Sequence, residues 1–179
     1  MELFQAIKER YSYRGAYVRK PVPEEDLRKI VQAGLDAPSG KNLQTTKFVI
    51  INDSDKLVRL RAAFSGQVFI ETASAFIAAV IDADPQPAPE YPYTFEIEDA
   101  SAAVQNILLA ITALGYASVW LDGVLRYGGR AEKIGEVSGL PPEKKVRILL
   151  PVGIALEGGP RKEKQPFADR AWFNTWGAA

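Results

Sequence analysis

Arg10-Tyr11-Ser12-Tyr13-Arg14 places two guanidinium groups and a hydroxyl within five residues, at the end of a predicted helix. A guanidinium is a planar, permanently charged fork that suits a phosphate or the electron-rich edge of a heterocycle. A second segment, Ala37-Pro38-Ser39-Gly40-Lys41-Asn42-Leu43-Gln44, is a turn of small residues carrying two side-chain amides. Such a turn lets backbone approach a flat ligand, and its amides offer donors and acceptors to a polar edge. Together the two segments point to a phosphorylated, ring-bearing cofactor.

The composition narrows the chemistry further. The chain has no cysteine and no histidine. This excludes disulfides, thiolate catalysis, zinc sites of the Cys/His kind and histidine-based triads. It also removes the side chain most used for proton transfer near neutral pH, so an enzyme of this composition borrows its chemistry from a cofactor. Lys+Arg and Asp+Glu each number 22, and that balance argues against a dedicated nucleic-acid binder. No apolar run approaches the ~20 residues that span a bilayer, and Met1–Arg10 lacks the apolar core of a signal peptide. The expected location is the cytoplasm, with no membrane partner.

With 179 residues, 47% of them hydrophobic, the chain fits a single domain, residues 1–179. Residues 1–155 read as its core and 156–179 as a C-terminal arm. The apolar periodicity predicts a first helix over Met1–Arg10, with Leu3, Phe4 and Ile7 on one face. Arg10–Lys20 reads as irregular. Pro23 opens a second helix with Leu27, Ile30, Val31 and Leu35 as its buried stripe, stopped by Pro38 and Gly40. Phe48–Ile51 is a short strand, and Asp53 or Ser54 caps a helix carrying Leu57 and Leu60. Ala73–Ile81 reads as a buried strand. Asp84–Pro92 holds four prolines and is a loop. Glu98–Leu114 has the widest apolar stripe and reads as a central helix ended by Gly115. Ala117–Leu121 is a short strand, Arg130–Val137 a helix and Val146–Ala155 a strand whose Pro151 sits near an edge or a bulge. The polar tail from Glu157 contains Phe167, Trp172, Phe173 and Trp176, which need a surface to cover them. A partner subunit is one such surface, and the chain's own core is the other. This order of elements predicts an α+β or α/β sandwich around one main sheet.

In this order the segments resemble the nitroreductase family of FMN-dependent oxidoreductases, in its short form. Arg10-Tyr-Ser12-Tyr-Arg14 is similar to the family's Arg-x-Ser-x-Arg/Lys motif. Pro38-Ser39 to Gln44 is similar to its Pro-Ser-x-x-Asn-x-Gln turn. Asp99 to Trp120, ending Leu114-Gly115-Tyr116-Ala117-Ser118-Val119-Trp120, resembles its central helix and the Leu-Gly-x-x-x-x-Trp that follows. Leu150-Pro151-Val152-Gly153 is similar to its last core strand, and Lys162-Glu163-Lys164 stands where the family has Lys-x-Arg. The likeness runs from Met1 to about Pro166.

The resemblance implies an α+β fold with a central, mainly antiparallel sheet flanked by helices. It also implies a homodimer that exchanges C-terminal arms and shares two FMN sites. Carried over by position, Arg10, Ser12, Lys162 and Lys164 hold the phosphate, and Arg14 faces the pyrimidine edge of the flavin. Tyr11 and Tyr13 either pack under the cofactor or cover the first helix. Pro38, Ser39, Gly40 and Asn42 line the ring from the other subunit. Asp122 and Gly123 match the turn whose backbone N–H reaches flavin N5. The stretch from Ser65 to Phe69 lacks the lysine of the longer forms, and Gln67 replaces their asparagine. Lys164, where arginine is common, makes a one-point phosphate contact. The region from Pro85 to Glu96 is short where longer forms insert helices over the flavin.

The implied activity is hydride transfer from NADH or NADPH to FMN, with electrons leaving to a small electrophile such as a nitroaromatic or quinone. No side-chain acid or base is required. Reductive dehalogenation and flavin breakdown are alternatives within the family. FMN storage without turnover and a cofactor-free interaction module are alternatives outside it.

Overall fold

The computed structural model describes residues 1–64, 66–87, 91–159 and 161–177. Ser65, residues 88–90 of the proline-rich loop, and Pro160, Ala178 and Ala179 of the arm lie outside the described residues. Among the described residues six α-helices and four strands form: α1 (Leu3–Glu9), α2 (Glu24–Leu35), β1 (Lys47–Ile51), α3 (Ser54–Arg61), α4 (Val68–Glu71), β2 (Ala75–Asp82), α5 (Glu96–Ala113), β3 (Ala117–Ser118), α6 (Arg130–Ser138) and β4 (Lys144–Gly153).

The strands make one antiparallel sheet in the order β1-β2-β4-β3. β2 reads as an unbroken apolar run because both of its faces are covered. Ala75, Ile77, Ala79 and Ile81 face α2 and α5, joining Leu27, Ile30, Val104 and Ile107. Phe76 and Ala78 face the opposite way, toward Leu57 and Leu60 of α3 and Ile134 and Val137 of α6. The period-two alternation thus splits one strand between two cores. Each buried Leu, Ile or Val side chain there contributes about 1.5–3 kcal/mol relative to exposure. The predicted architecture, helices on both faces of a mainly antiparallel sheet, is what forms.

Local chemistry sets the helix ends. Asp53 accepts from the N–H groups of Asp55 and Lys56 at 3.1 and 3.0 Å, which selects it over Ser54 as the cap of α3. Gly115, at φ 82°, ends α5 by donating to Thr112 O, while Tyr116 N–H reaches Ile111 O. Tyr116 Oη then donates to Asp26 at 2.6 Å and ties this corner to α2. Burial first, and then that carboxylate, push the phenol up to about 12.

Several expectations change. Pro151 is in an interior strand, not at an edge. Leu149 exchanges both backbone bonds with Leu121, so two residues on Pro151 turns the same way. Its missing N–H falls in the gap between that bridge and the Ser118 pairing with Val152. The sheet's one register shift lies between Ala79 and Val80. β3 keeps only Ala117–Ser118 of the predicted strand. The four-residue α4 was not read from the sequence. Arg10–Lys20 is irregular but pairs twice with the body, through Ser12 with Ser118 and Tyr17 with Ala155.

Apolar surface that the periodicity assigns to the interior is partly exposed. Leu35 and Leu114, at the ends of their helices, are exposed, and on α1 only Ala6 is buried. Phe4 is 76% exposed, with Leu3 and Ile7 beside it. The root of the arm returns to the body, but its distal aromatics are not covered. Phe173 and Trp176 are 80% and 88% exposed, and among the described residues their aromatic ring contacts lie within the arm, Phe167 on Phe173 and Trp172 on Trp176. Among the described residues no helix is long and apolar enough to cross a membrane.

Candidate cofactor site

α1 closes with Arg10 N–H donating to Ala6 O at 2.9 Å. The chain then runs beside β3, where Tyr13 N–H donates to Ser118 O at 2.9 Å. Alternate residues of an extended segment share a side. Tyr13 accordingly enters the core, while Ser12 and Arg14 face outward. Tyr11 and Tyr13 pin the root of the arm over this segment. Tyr13 Oη donates to Ala16 O and accepts from Leu156 N–H at 3.2 Å. Tyr11 Oη accepts from Gly159 N–H at 3.3 Å, across 148 residues of sequence. A Cβ on Gly159 would stand 2.9 Å from the edge of the Tyr11 ring, so a larger residue here would push that ring aside.

The basic residues of the arm are thereby brought back to the exit of α1. Arg10, Tyr11, Ser12, Arg14, Arg161, Lys162 and Lys164 line one cleft of about 300 Å³. Five of the seven are cations, in a chain of zero net charge. Among the described residues, ion pairs form on Arg28, Lys29, Arg126, Lys144 and Arg147, and on none of these five. Unpaired cations gathered in one hollow repel each other until an anion enters. Three guanidiniums, two ammoniums and a hydroxyl are the donors that a phosphate monoester needs. Tyr11, Ser12 and Arg14 also line an adjoining hollow of about 440 Å³ with Gly15, Ala16 and Leu156–Gly159.

The turn at Pro38–Gln44 lies elsewhere in the chain. Pro38, Ser39 and Gln44 line a third hollow of about 330 Å³, which shares no residue with the other two. Gly40–Asn42 makes one 3-10 turn, and Lys41, Asn42 and Gln44 hold φ of 52°, 56° and 51°. Left-handed backbone costs a non-glycine residue on the order of 1 kcal/mol, so this shape must be held from outside. Ser39 Oγ accepts from Gln44 N–H at 3.1 Å. Asp99 of α5, only 5% exposed, accepts from Gly40 N–H at 2.8 Å and from Thr45 Oγ1 at 3.1 Å. Phe95 walls the other side, and Lys41 Nζ lies 4.7 Å from the centre of the Tyr91 ring. A Cβ on Gly40 would stand 2.3 Å from Phe95 Cγ. Gly40→Ala is therefore expected to destabilise the fold by about 1–3 kcal/mol, as overpacking does. A thermal melt that matches the wild type would show that the ring yields freely.

Asp122 and Gly123 follow the Leu121 bridge. The Asp122 carboxylate takes two bonds of 2.8 Å from Arg126 and a third from Arg147. The Arg126 bonds hold its pKa below the usual carboxylate range, with Arg147 adding to them against the effect of burial. Neither residue lines the three hollows. Gln67 precedes α4, where its backbone O accepts from Ile70 and Glu71, and it lines none of the three either.

The structure thus brings together Arg10, Tyr11, Ser12, Arg14, Lys162 and Lys164. Within one chain it leaves Pro38, Ser39, Gly40, Asn42, Gln67, Asp122 and Gly123 outside that cleft. Two residues of interest escaped the sequence reading. Arg161 adjoins the recognised lysines, and its signal was the basic run itself. Asp99 carried no local signal, because its partners are 59 and 54 residues away.

A cationic cleft between a helix exit and a returning arm lies on a helix-covered antiparallel sheet, in a single-sheet α+β protein. The nitroreductase family profile matches residues 7–86 and 69–154, and the chain belongs to that family. It is 35% identical over 173 residues to an Archaeoglobus fulgidus protein provisionally named NADH dehydrogenase/NAD(P)H nitroreductase, covering 97% of this chain and 94% of that one. It is 30% identical over 141 residues to an NADPH-flavin oxidoreductase of Vibrio harveyi, covering 74% of this chain and 58% of that one. The fold superposes on an FMN-dependent nitroreductase of Clostridium difficile with a TM-score of 0.78 and 26% identity, covering 97% and 99% of the two chains.

Proposed function

We propose that the protein is an FMN-dependent oxidoreductase that takes hydride from NADH or NADPH and reduces a small electrophile such as a nitroaromatic or a quinone. The observation that carries this reading is the five-cation cleft at the exit of α1. Arg10, Ser12, Arg161, Lys162 and Lys164 hold the phosphate. Arg14 lines both this cleft and the adjoining hollow, which suits a cation shared between the phosphate end and the ring end of one ligand. When bound, FMN supplies reversible acceptance of a hydride. The chain's part is to bind, orient and compensate charge. A fixed cation at Arg14 favours the reduced, more negative ring.

The separation of the Pro38–Gln44 turn from the cleft supports a site shared by two subunits. In that arrangement Pro38, Ser39, Gly40 and Asn42 come from the partner. The exposed apolar face of α1 and the uncovered arm aromatics offer the surface that a homodimer would bury. The Asp122 side chain is occupied by two arginines, so the turn contributes through its backbone N–H groups. Gln67 is not part of the proposed site. A chain without cysteine suits a reducing compartment such as the cytoplasm.

Titration with FMN followed by anaerobic NADH or NADPH is the direct test. Bound oxidised flavin that bleaches on addition of nicotinamide is expected. A bound flavin that stays yellow with both would end the reductase reading, and no uptake of FMN would end the cofactor reading. Arg14→Ala is expected to lower the midpoint potential of bound flavin by roughly 30–60 mV, the two-electron equivalent of one charge-assisted contact. An unchanged potential with weakened binding would move Arg14 to the phosphate end.

A further inference from the structure

We infer that Asp99 is a positioning residue whose buried carboxylate staples the Gly40–Thr45 turn into the left-handed shape that meets the cofactor, an inference that rests on the FMN reading above. Both carboxylate oxygens are used. Oδ1 accepts from Gly40 N–H at 2.8 Å and Oδ2 from Thr45 Oγ1 at 3.1 Å. Every left-handed non-glycine residue of this turn, Lys41, Asn42 and Gln44, lies between those two donors. One side chain therefore closes both ends of the strained stretch. An apolar side chain would fill the same space without holding either end.

The carboxylate is tolerated at 5% exposure because of where it sits. Asp99 is in the first turn of α5, where unsatisfied N–H groups give the helix a positive end. Phe95, four residues earlier, supplies the wall against Gly40. The start of α5 thus provides both a staple and a stop, and it registers Ser39 and Asn42 to the rigid central helix. Thr45 completes the device. Its hydroxyl donates to Asp99, and the following Thr46 leads directly into β1.

The test compares Asp99→Ala, Asp99→Asn and Thr45→Val with the wild-type chain. Hydrogen–deuterium exchange over residues 38–47 is measured without flavin, and FMN affinity by fluorescence quenching. Asp99→Ala leaves two donors without an acceptor, and about tenfold faster exchange and about tenfold weaker FMN binding are expected. Asp99→Asn keeps an oxygen for Gly40 N–H, and the Thr45 hydroxyl can rotate to accept from its amide. Both readouts are then expected within about threefold of wild type. Thr45→Val removes one bond of the two and provides the comparison if Asp99→Ala fails to fold. It is expected to raise exchange and the FMN Kd by about threefold each. Folded variants whose exchange and affinity both match the wild type would overturn the staple. Faster exchange with unchanged affinity would overturn the positioning role and leave a purely structural one. Should the wild-type chain take up no FMN, the cofactor reading falls by itself, and the positioning role falls with it.

Discussion

Arg10→Ala is expected to weaken FMN binding by about 10- to 100-fold, the equivalent of 1.5–3 kcal/mol for a hydrogen bond to a charged group. The magnitude follows from how Arg10 is held. It caps α1 through its backbone and is half-buried, so little further ordering is needed when the phosphate arrives. Lys162 and Lys164 are exposed on an irregular segment, and each must give up side-chain freedom to make a one-point contact. Single alanine changes there are expected to cost only about 0.5–1 kcal/mol each. Because five cations share the cleft, the loss from Arg10→Ala should shrink as salt rises and the remaining charges are screened. Fluorescence-quenching titrations at low and high salt measure both effects. Equal affinities for Arg10→Ala and wild type at low salt would take Arg10 out of the site.

Part of that cleft is legible in the sequence, because Arg10, Ser12 and Arg14 stand out by residue type and close spacing. That they share one side is not, because the sequence reads as irregular there and the extended course comes from pairing with Ser118. The return of the arm is not legible either. It depends on Tyr11 and Tyr13 reaching Gly159 and Leu156 from the far end of the chain, and neither contact has a local signature. The likeness to a known family placed Lys162 and Lys164 beside the phosphate segment; periodicity alone would have left them as a solvated cluster. The same contrast runs through the fold. β2 was recognisable as buried because Phe76, Ile77, Val80 and Ile81 stand in one apolar run. Which face each residue takes depends on α2, α5, α3 and α6 arriving from elsewhere. Pro151 shows the limit most clearly. A proline rule that assumes fully paired neighbours points to an edge or a bulge, whereas β3 is too short to pair where the N–H is missing.

Exposed apolar residues mark where a single-chain reading stops. Leu3, Phe4 and Ile7 obey helical periodicity, yet their face of α1 stays uncovered by the described residues. Phe173 and Trp176 do the same in the arm. Periodicity reports that a face wants burial and not what will bury it. The turn around Gly40 carries a similar message in polar form, since Asp99 holds it in a strained shape although it lines no part of the cationic cleft.

Asp122→Asn is expected to lower stability at neutral pH by about 2–3 kcal/mol, somewhat less than a fully buried pair would lose. The carboxylate joins Arg126, beside it on the surface, to Arg147 on the interior strand β4. Arg147 is 17% exposed by its side chain, so removing the anion leaves a mostly buried guanidinium with its charge uncompensated. Arg126 is largely solvated and adds little to the loss. The pH dependence follows from the direction of the shift. Asp122 has a folded-state pKa below its unfolded value, chiefly through the Arg126 bonds. Its contribution is complete above the unfolded value of about 4 and is lost as the pH falls through the lower folded value. Wild type and Asp122→Asn should therefore differ fully at pH 6–7 and converge on acidification below about pH 4. Urea unfolding across that range measures the gap. A gap that persists unchanged down to about pH 2 would mean that shape, and not the ionised carboxylate, is what Asp122 contributes at the turn.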